Sequence, residues 1–158
     1  DYMTIPLGMN RTFYNPDSSL KNQIVPTEVS TWHNKLVHGY VHDENTYVMG
    51  GVSGHAGLFS TVQDLSVLCQ MYLNDGFYAN KRIVKPETIR LFTSRQNIVE
   101  GSTRALGWDT RSEKNSMAGN HMSMCAYGHS GFTGTTLWID PQNTVFVIFL
   151  TNRVYPTR

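Results

Sequence analysis

Long apolar segments and an excess of charge of one sign are both missing from this sequence of 158 residues. The longest apolar run is Val145 to Leu150, whereas a membrane-spanning helix needs about 20 such residues, so we expect no transmembrane segment. Thirteen Lys and Arg against 12 Asp and Glu give a formal charge of +1, and the basic residues are scattered. Without a basic stripe, nucleic acid is not an expected partner.

Cysteine is also scarce, since only Cys69 and Cys125 occur. Two cysteines at this spacing form neither a disulfide framework nor a thiolate metal site, so they do not indicate a compartment. Cys69 lies on the apolar face of a predicted helix, where a thiol is typical of a small core residue. No signal-peptide pattern opens the chain. The 40% of apolar and 16% of charged residues are typical of a globular domain.

The periodic segments predict two helices in residues 61–93. Thr61 is a good N-cap residue and Asp64 follows at the capping-box spacing, so the first helix is expected to begin after Thr61. The turn formers at 74–76 are expected to end it. A second helix is expected from Pro86, a favoured first-turn residue, through Phe92. Apolar residues at helical spacing predict one buried face on the first helix, namely Leu65, Leu68, Cys69 and Tyr72. Residues 1–60 show little periodicity and many turn formers, which predicts an irregular segment that includes a cleft loop.

The last third is rich in strand formers, and we expect antiparallel strands within residues 105–153. A strand is predicted over 127–132, another over 135–139, and a third over 144–150 after the turn residues 140–143. Because the third strand is almost continuously apolar, we expect it to be central and covered on both faces. Gly134 is expected to separate the first strand from the hairpin. The whole predicts an α+β fold with an antiparallel sheet in a single partial domain, 1–158.

Three stretches carry a resemblance to a known family. They are Pro6-Leu7-Gly8-Met9 with Thr12, the segment Gly50-Gly51 through Gly57-Leu58-Phe59-Ser60-Thr61 to Asp64-Leu65, and Tyr127-Gly128-His129-Ser130-Gly131-Phe132-Thr133-Gly134-Thr135 with the two strands after it. Their order and spacing are similar to those in the C-terminal portion of class C β-lactamase-like and penicillin-binding-protein-like serine hydrolases. The resemblance covers nearly the whole chain and implies an incomplete β-lactamase/transpeptidase-like fold.

The same resemblance implies roles for the segment 129–133. In the family a Lys/His-x-Gly triplet on an edge strand forms one wall of the active site, and His129-Ser130-Gly131 matches it. His129 would project a hydrogen-bond donor into the cleft, Gly131 would leave room for the substrate, and the Phe132 amide would donate to an oxyanion. Ser130 and Thr133 are expected to bind substrate. His stands where true β-lactamases have Lys, which leaves esterase or peptidase activity open.

The family's serine nucleophile and its lysine are expected upstream of this chain, before the Pro6-Leu7-Gly8-Met9 landmark. The spelling Ser18-x-x-Lys21 is not followed by an apolar helix that would align the two side chains, so we do not predict a nucleophile there. Tyr72-Leu73-Asn74 also spells a family motif, but Tyr72 falls on a buried helix face and is expected in the core.

Polar residues near the expected cleft remain open to two interpretations. His42 and Asn45 belong to a polar loop that either lines the cleft entrance or is simply exposed. Asn152 and Arg153 follow the last strand, where they either contact a substrate carboxylate or end a solvated strand. A metal site at His38 and His42 is not expected, because the residues between them favour an extended segment over a helix.

We therefore expect part of a serine hydrolase that acts through an acyl-enzyme on a small ester, lactam or peptide, with no cofactor. The alternative is a catalytically silent module that binds cell-wall or glycan material. The N-terminal half of the same domain is an expected partner, and uncovered surface predicts a homodimer as another possibility. By resemblance alone, the expected location is the periplasm or cell envelope.

Overall fold

The fold is taken from a computed structural model that describes residues 2–158. The first third contains only short elements joined by irregular backbone. Two helices stand out, α1 (Thr4–Leu7) and α2 (Glu44–Val48), together with a 3₁₀ helix over Ser18–Gln23. The strands are β1 (Phe13–Tyr14), β2 (Glu28–Ser30), β3 (Lys35–Val37) and β4 (Leu58–Phe59), which form the antiparallel pairs β1–β4 and β2–β3.

The two predicted helices are confirmed. Helix α3 covers Val62–Leu73 and α4 covers Pro86–Thr93, with the short hairpin β5 (Phe77–Tyr78) and β6 (Lys81–Arg82) between them. Thr61 caps α3 by accepting a hydrogen bond from the Asp64 amide at 3.2 Å. The Asp64 carboxylate does not complete a capping box; instead it accepts the Arg11 amide at 2.8 Å and the Thr12 hydroxyl at 2.7 Å. It thereby ties α3 to the N-terminal segment.

Four antiparallel strands form the main sheet in the order β10-β9-β8-β7. They are β7 (Asp109–Thr110), β8 (Tyr127–Ser130), β9 (Thr135–Asp140) and β10 (Val145–Leu150). Helix α3 covers one face of this sheet, where Cys69 packs against Tyr127 and Ile139. The opposite side of α3 buries Met71 against Leu7, Met9 and Ile89, so α3 lies between two apolar clusters.

Strand β10 is not central within residues 2–158, contrary to the sequence-based expectation. It forms an edge of the sheet, and only its Phe146 and Ile148 face packs against the core that α3 covers. Val145, Val147 and Phe149 on the other face are 42%, 47% and 59% exposed. An apolar run indicates burial but not which neighbours provide it, so the sequence pattern could not distinguish an edge from a centre.

The strand predicted over 127–132 also ends earlier, at Ser130. The Gly131 amide donates to the Thr135 carbonyl at 2.6 Å and the Gly134 amide to the Gly131 carbonyl at 3.0 Å, which closes a tight turn. Gly134 therefore does not separate β8 from the sheet. It lies in the turn that joins β8 to β9, and its φ of 114° is one that favours glycine. No helix in residues 2–158 is long and apolar enough to span a membrane.

Candidate active site

A cleft of about 600 Å³ opens beside the turn between β8 and β9. Its walls come from five segments of the chain, which the fold brings together. The lining comprises residues 40–44, residues 55–59, residues 131–133 with Thr135, and the single residues Thr27 and Arg158. Of the predicted site residues, the cleft brings together His42, Gly131, Phe132 and Thr133.

The turn 131–134 presents a free backbone donor at the rim of this cleft. Among residues 2–158, none accepts a hydrogen bond from the Phe132 amide nitrogen. The turn itself is fastened from behind, because the Arg153 amide donates to the Thr133 carbonyl at 2.9 Å and the Thr151 hydroxyl donates to the Gly134 carbonyl. A side chain at Gly131 would collide with the Thr135 hydroxyl. The turn thus leaves the Phe132 amide, like that of Thr133, without an acceptor among the described residues.

The aromatic ring of Phe132 lies between a histidine and two arginines. It stacks on His42 with a centroid separation of 6.1 Å and an interplanar angle of 18°. The Arg153 guanidinium lies 4.6 Å from its centroid and that of Arg158 lies 5.8 Å from it. Arg153 also donates from Nε to the Phe132 carbonyl at 2.6 Å. These contacts hold the residue whose amide is free.

A network of hydrogen bonds and ion pairs beside the cleft centres on the buried Glu28 carboxylate. The Glu28 carboxylate accepts from His42 Nε2 at 2.5 Å and from Arg158 Nε at 3.0 Å, and Arg158 also donates to Glu44 at 2.7 Å. Burial opposes ionisation of Glu28, but the hydrogen bond from His42 and the Arg158 guanidinium outweigh it and lower the pKa of Glu28. For Glu44, the Arg158 hydrogen bond is the main cause of a lowered pKa.

A second hydrogen-bonded network centres on His55, which lines the cleft together with Asp43. Ser53 Oγ lies 2.7 Å from His55 Nδ1, and His55 Nε2 lies 3.1 Å from Asp43 Oδ1 and 3.2 Å from the Thr46 hydroxyl. Asp43 also caps α2 by accepting the Thr46 amide at 2.7 Å, and this hydrogen bond is the largest cause of its lowered pKa. His55 therefore fastens the 53–57 loop to the start of α2.

His129 is exposed on β8, and both of its ring nitrogens have partners. Nδ1 lies 2.9 Å from the Ser130 carbonyl, which can only accept, so Nδ1 carries the proton. Nε2 then accepts from Arg104 Nη1 at 3.2 Å, and Arg104 also pairs with Asp109 at 2.8 Å. The donor nearest this edge of the site is thus Arg104. No sequence motif connects Arg104 to His129, which lies 25 positions later in the chain, so the pattern of residues did not predict this contact.

Asn152 and Arg153 are occupied by contacts within the chain. The Asn152 amide donates to the Pro26 and Thr27 carbonyls, both at 2.9 Å, and its carbonyl oxygen accepts the Val154 amide at 3.0 Å. Arg153 braces the turn as described above and does not line the cleft. Ser130 lines a separate concavity behind the turn, and Asn45 is exposed on α2 outside the cleft lining. Their substrate-binding roles stay predictions.

The other candidate residues lie outside the cleft lining. Ser18 and Lys21 share the 3₁₀ helix, although no helix was expected there, and both side chains are exposed away from the cleft lining. Tyr72 packs against Trp108 and Tyr127, as expected of a core residue. His38 Nε2 contacts the Ile24 carbonyl, not His42. In residues 2–158, no group of three or more His, Cys, Asp or Glu side chains is arranged to hold a metal ion.

The mixed α+β fold is that of the penicillin-binding and β-lactamase class of proteins. The Beta-lactamase family model matches residues 1–158, and the chain belongs to this family. It is 37% identical over 164 residues to a protein of Escherichia coli (strain K12) named "Putative D-alanyl-D-alanine carboxypeptidase". It is 39% identical to a protein of Salmonella gallinarum with the same name. These alignments cover 94% of the chain but only 37% and 38% of the two relatives.

Solved structures show the same fold at lower sequence identity. A penicillin-binding-protein homologue from Caulobacter crescentus superimposes with a TM-score of 0.61 at 18% identity, covering 95% of this chain and 44% of that one. A β-lactamase from Mycobacterium bovis gives a TM-score of 0.58 at 21% identity and covers 96% and 46%. The chain thus corresponds to less than half of each of these folds.

Proposed function

We propose that this chain forms one wall of the active site of a serine hydrolase that acts by acyl transfer on an ester, a lactam or a D-amino peptide. The observation that carries the proposal is the free Phe132 amide at the rim of the cleft. A fixed N–H at such a place is suited to stabilise the negative charge that develops on an attacked carbonyl oxygen. The family and the names of the curated relatives support the same reaction class.

The nucleophile is proposed to lie outside this chain. In the described residues, Ser18 and Lys21 are exposed away from the cleft, and the chain spans little more than a third of its curated relatives. The serine Oγ attacks the carbonyl carbon as its proton passes to a neighbouring base, and the leaving alcohol or amine takes up a proton. Water then hydrolyses the acyl-enzyme and regenerates the serine.

His129 and Arg104 are proposed to border the substrate at the β8 edge. Arg104 carries a fixed positive charge, and His129, with its proton on Nδ1, presents an acceptor towards it. Their side chains are exposed, so a substrate can reach both. A cell-envelope location and pairing with the N-terminal half of the domain are proposed from the family resemblance. Self-association of the isolated chain through the exposed Val147 and Phe149 face is a further expectation.

The test uses the complete protein that contains this chain. We expect turnover of a chromogenic ester or a cephalosporin, and an intact-mass increase equal to one acyl group when hydrolysis is slow. His129→Ala should lower turnover, whereas Gln63→Ala, on the exposed side of α3, should leave it unchanged. Saturable binding of cell-wall fragments with neither turnover nor an acyl adduct would favour the silent binding module instead.

A further inference from the structure

A histidine that lines the cleft is paired with a buried carboxylate, and the chemistry proposed above does not use this pair. Glu28 is 3% exposed, and its two carboxylate oxygens have separate partners. Oε2 accepts from His42 Nε2 at 2.5 Å, whereas Oε1 accepts from Arg158 Nε at 3.0 Å and from the Arg158 amide at 3.3 Å. Carboxylates are rarely so buried unless they are paired, and the Arg158 guanidinium favours the charged form of this one.

The position of the His42 proton follows from this pairing. An ionised carboxylate can only accept, so Nε2 carries the proton, and in the neutral ring Nδ1 is the nitrogen with the free lone pair. Nδ1 has no hydrogen-bond partner within residues 2–158. It is not one of the buried side-chain atoms that lack a partner, which are His33 Nε2 and Trp138 Nε1, so it is open to solvent. A histidine whose second nitrogen is held by a carboxylate is the usual arrangement of a general base.

The ring of His42 also lies beside the proposed oxyanion donor. It stacks on the Phe132 ring with a centroid separation of 6.1 Å, and both residues line the cleft with Gly131. The cleft of about 600 Å³ is much larger than a water molecule, which occupies about 30 Å³ in the liquid. It therefore has room for an acyl group at the Phe132 amide and for a water molecule at His42.

We propose that His42, oriented by Glu28, is the general base that activates water for hydrolysis of the acyl-enzyme. This inference rests on the proposed function and assigns the second half of that reaction to this chain. The water gives a proton to His42 Nδ1 as its oxygen bonds to the acyl carbonyl carbon. The bond between that carbon and the serine oxygen then breaks, the imidazolium returns the proton to the serine oxygen, and the free acid leaves.

A purely structural ion pair is the alternative, and the two roles predict different kinetics. Arg158 holds Glu28 and Glu44 together whether or not His42 is a base. Loss of a structural contact would lower stability and slow acylation and hydrolysis together. Loss of a base for the water would slow hydrolysis alone, so the acyl-enzyme would accumulate.

The test is stopped-flow hydrolysis of a chromogenic ester by the complete protein, with intact-mass measurement of the acyl-enzyme. Gln at position 42 can still donate to Glu28 but has no basic nitrogen. A general base contributes about 10²–10⁴-fold, so His42→Gln should acylate in a rapid burst while its steady-state rate falls about 100-fold or more. His121→Gln is the matched control, because His121 is exposed and lies outside the cleft lining; it should behave as wild type.

A second variant covers the case in which His42→Gln does not fold, as judged by circular dichroism. His42→Ala leaves space for free imidazole, and added imidazole should restore the hydrolysis step without changing the burst. Absence of this rescue in a folded alanine variant would overturn the proposal, as would a folded His42→Gln that hydrolyses its acyl-enzyme at the wild-type rate. Wild type that forms no acyl-enzyme at all would instead refute the proposed function, and this inference with it.

Discussion

Replacement of Phe132 by proline removes the backbone donor on which the proposed function rests. Proline lacks the amide hydrogen, and it is favoured at the second position of a β-turn, which is where Phe132 lies between Gly131 and Gly134. The residue before proline must be extended, and Gly131 directly follows strand β8. The substitution therefore deletes one N–H with little disturbance of the turn.

The expected loss is set by the chemistry of the oxyanion. Removal of one such donor typically lowers kcat by about 10²–10³, or roughly 3–4 kcal/mol of transition-state stabilisation. Phe132→Ala keeps the amide and removes only the ring, which rests on His42 and beneath Arg153. The loss of an exposed cation–π contact is worth about 0.5–1 kcal/mol, so the alanine variant should keep most of its kcat.

The assay is steady-state hydrolysis of a chromogenic ester by the complete protein, with wild type, Phe132→Pro and Phe132→Ala compared side by side. Thermal denaturation of each variant separates a catalytic defect from unfolding. A proline variant that is folded and retains the kcat of the alanine variant would refute the assignment of this amide to the oxyanion.

Three further predictions concern stability, each measured by urea denaturation. Burial opposes ionisation of Asp140, but hydrogen bonds from the Ser123 side chain and backbone outweigh it and lower the pKa of Asp140. Asp140→Ala should therefore lower the unfolding free energy by about 3 kcal/mol. A decrease of less than about 1 kcal/mol would contradict this prediction. Burial lowers the pKa of His33 below its usual value of about 6.5, so the unfolded chain binds more protons than the folded chain just below that pH. The unfolding free energy should therefore fall on acidification from about pH 7 to 5. His33→Gln should weaken this pH dependence, and an unchanged dependence would assign it to other groups. A side chain at Gly128 would collide with the Leu137 carbonyl, so Gly128→Ala should lower the unfolding free energy by about 1–3 kcal/mol. Gly54→Ala is the control: no atom lies within 4 Å of the added carbon, and the unfolding free energy should change by less than about 0.5 kcal/mol. Equal effects of the two substitutions would show that the space around Gly128 is not limiting.

Local features of the chain were predictable because their causes are local. The cap at Thr61, the helical spacing of Leu65, Leu68 and Cys69, and the proline at the start of α4 each act within a few residues, and both helices occur where they were expected. The order of three motifs also identified the family correctly. Residues 129–133 were recognised in the same way, although their roles in catalysis are still predictions.

The site itself was decided by contacts between distant segments. Asn152 reaches Pro26 and Thr27, which are more than 120 residues away, and Glu28 pairs with Arg158 across 130 positions. Neither pairing produces a periodic pattern in the sequence, because each of these residues is of a type that is common on protein surfaces. The same reason explains why Arg104 beside His129 was missed and why β10 was expected at the centre of a sheet. Propensity and spacing act over one or two turns of chain, whereas a cleft and a sheet edge exist only after the segments have packed together.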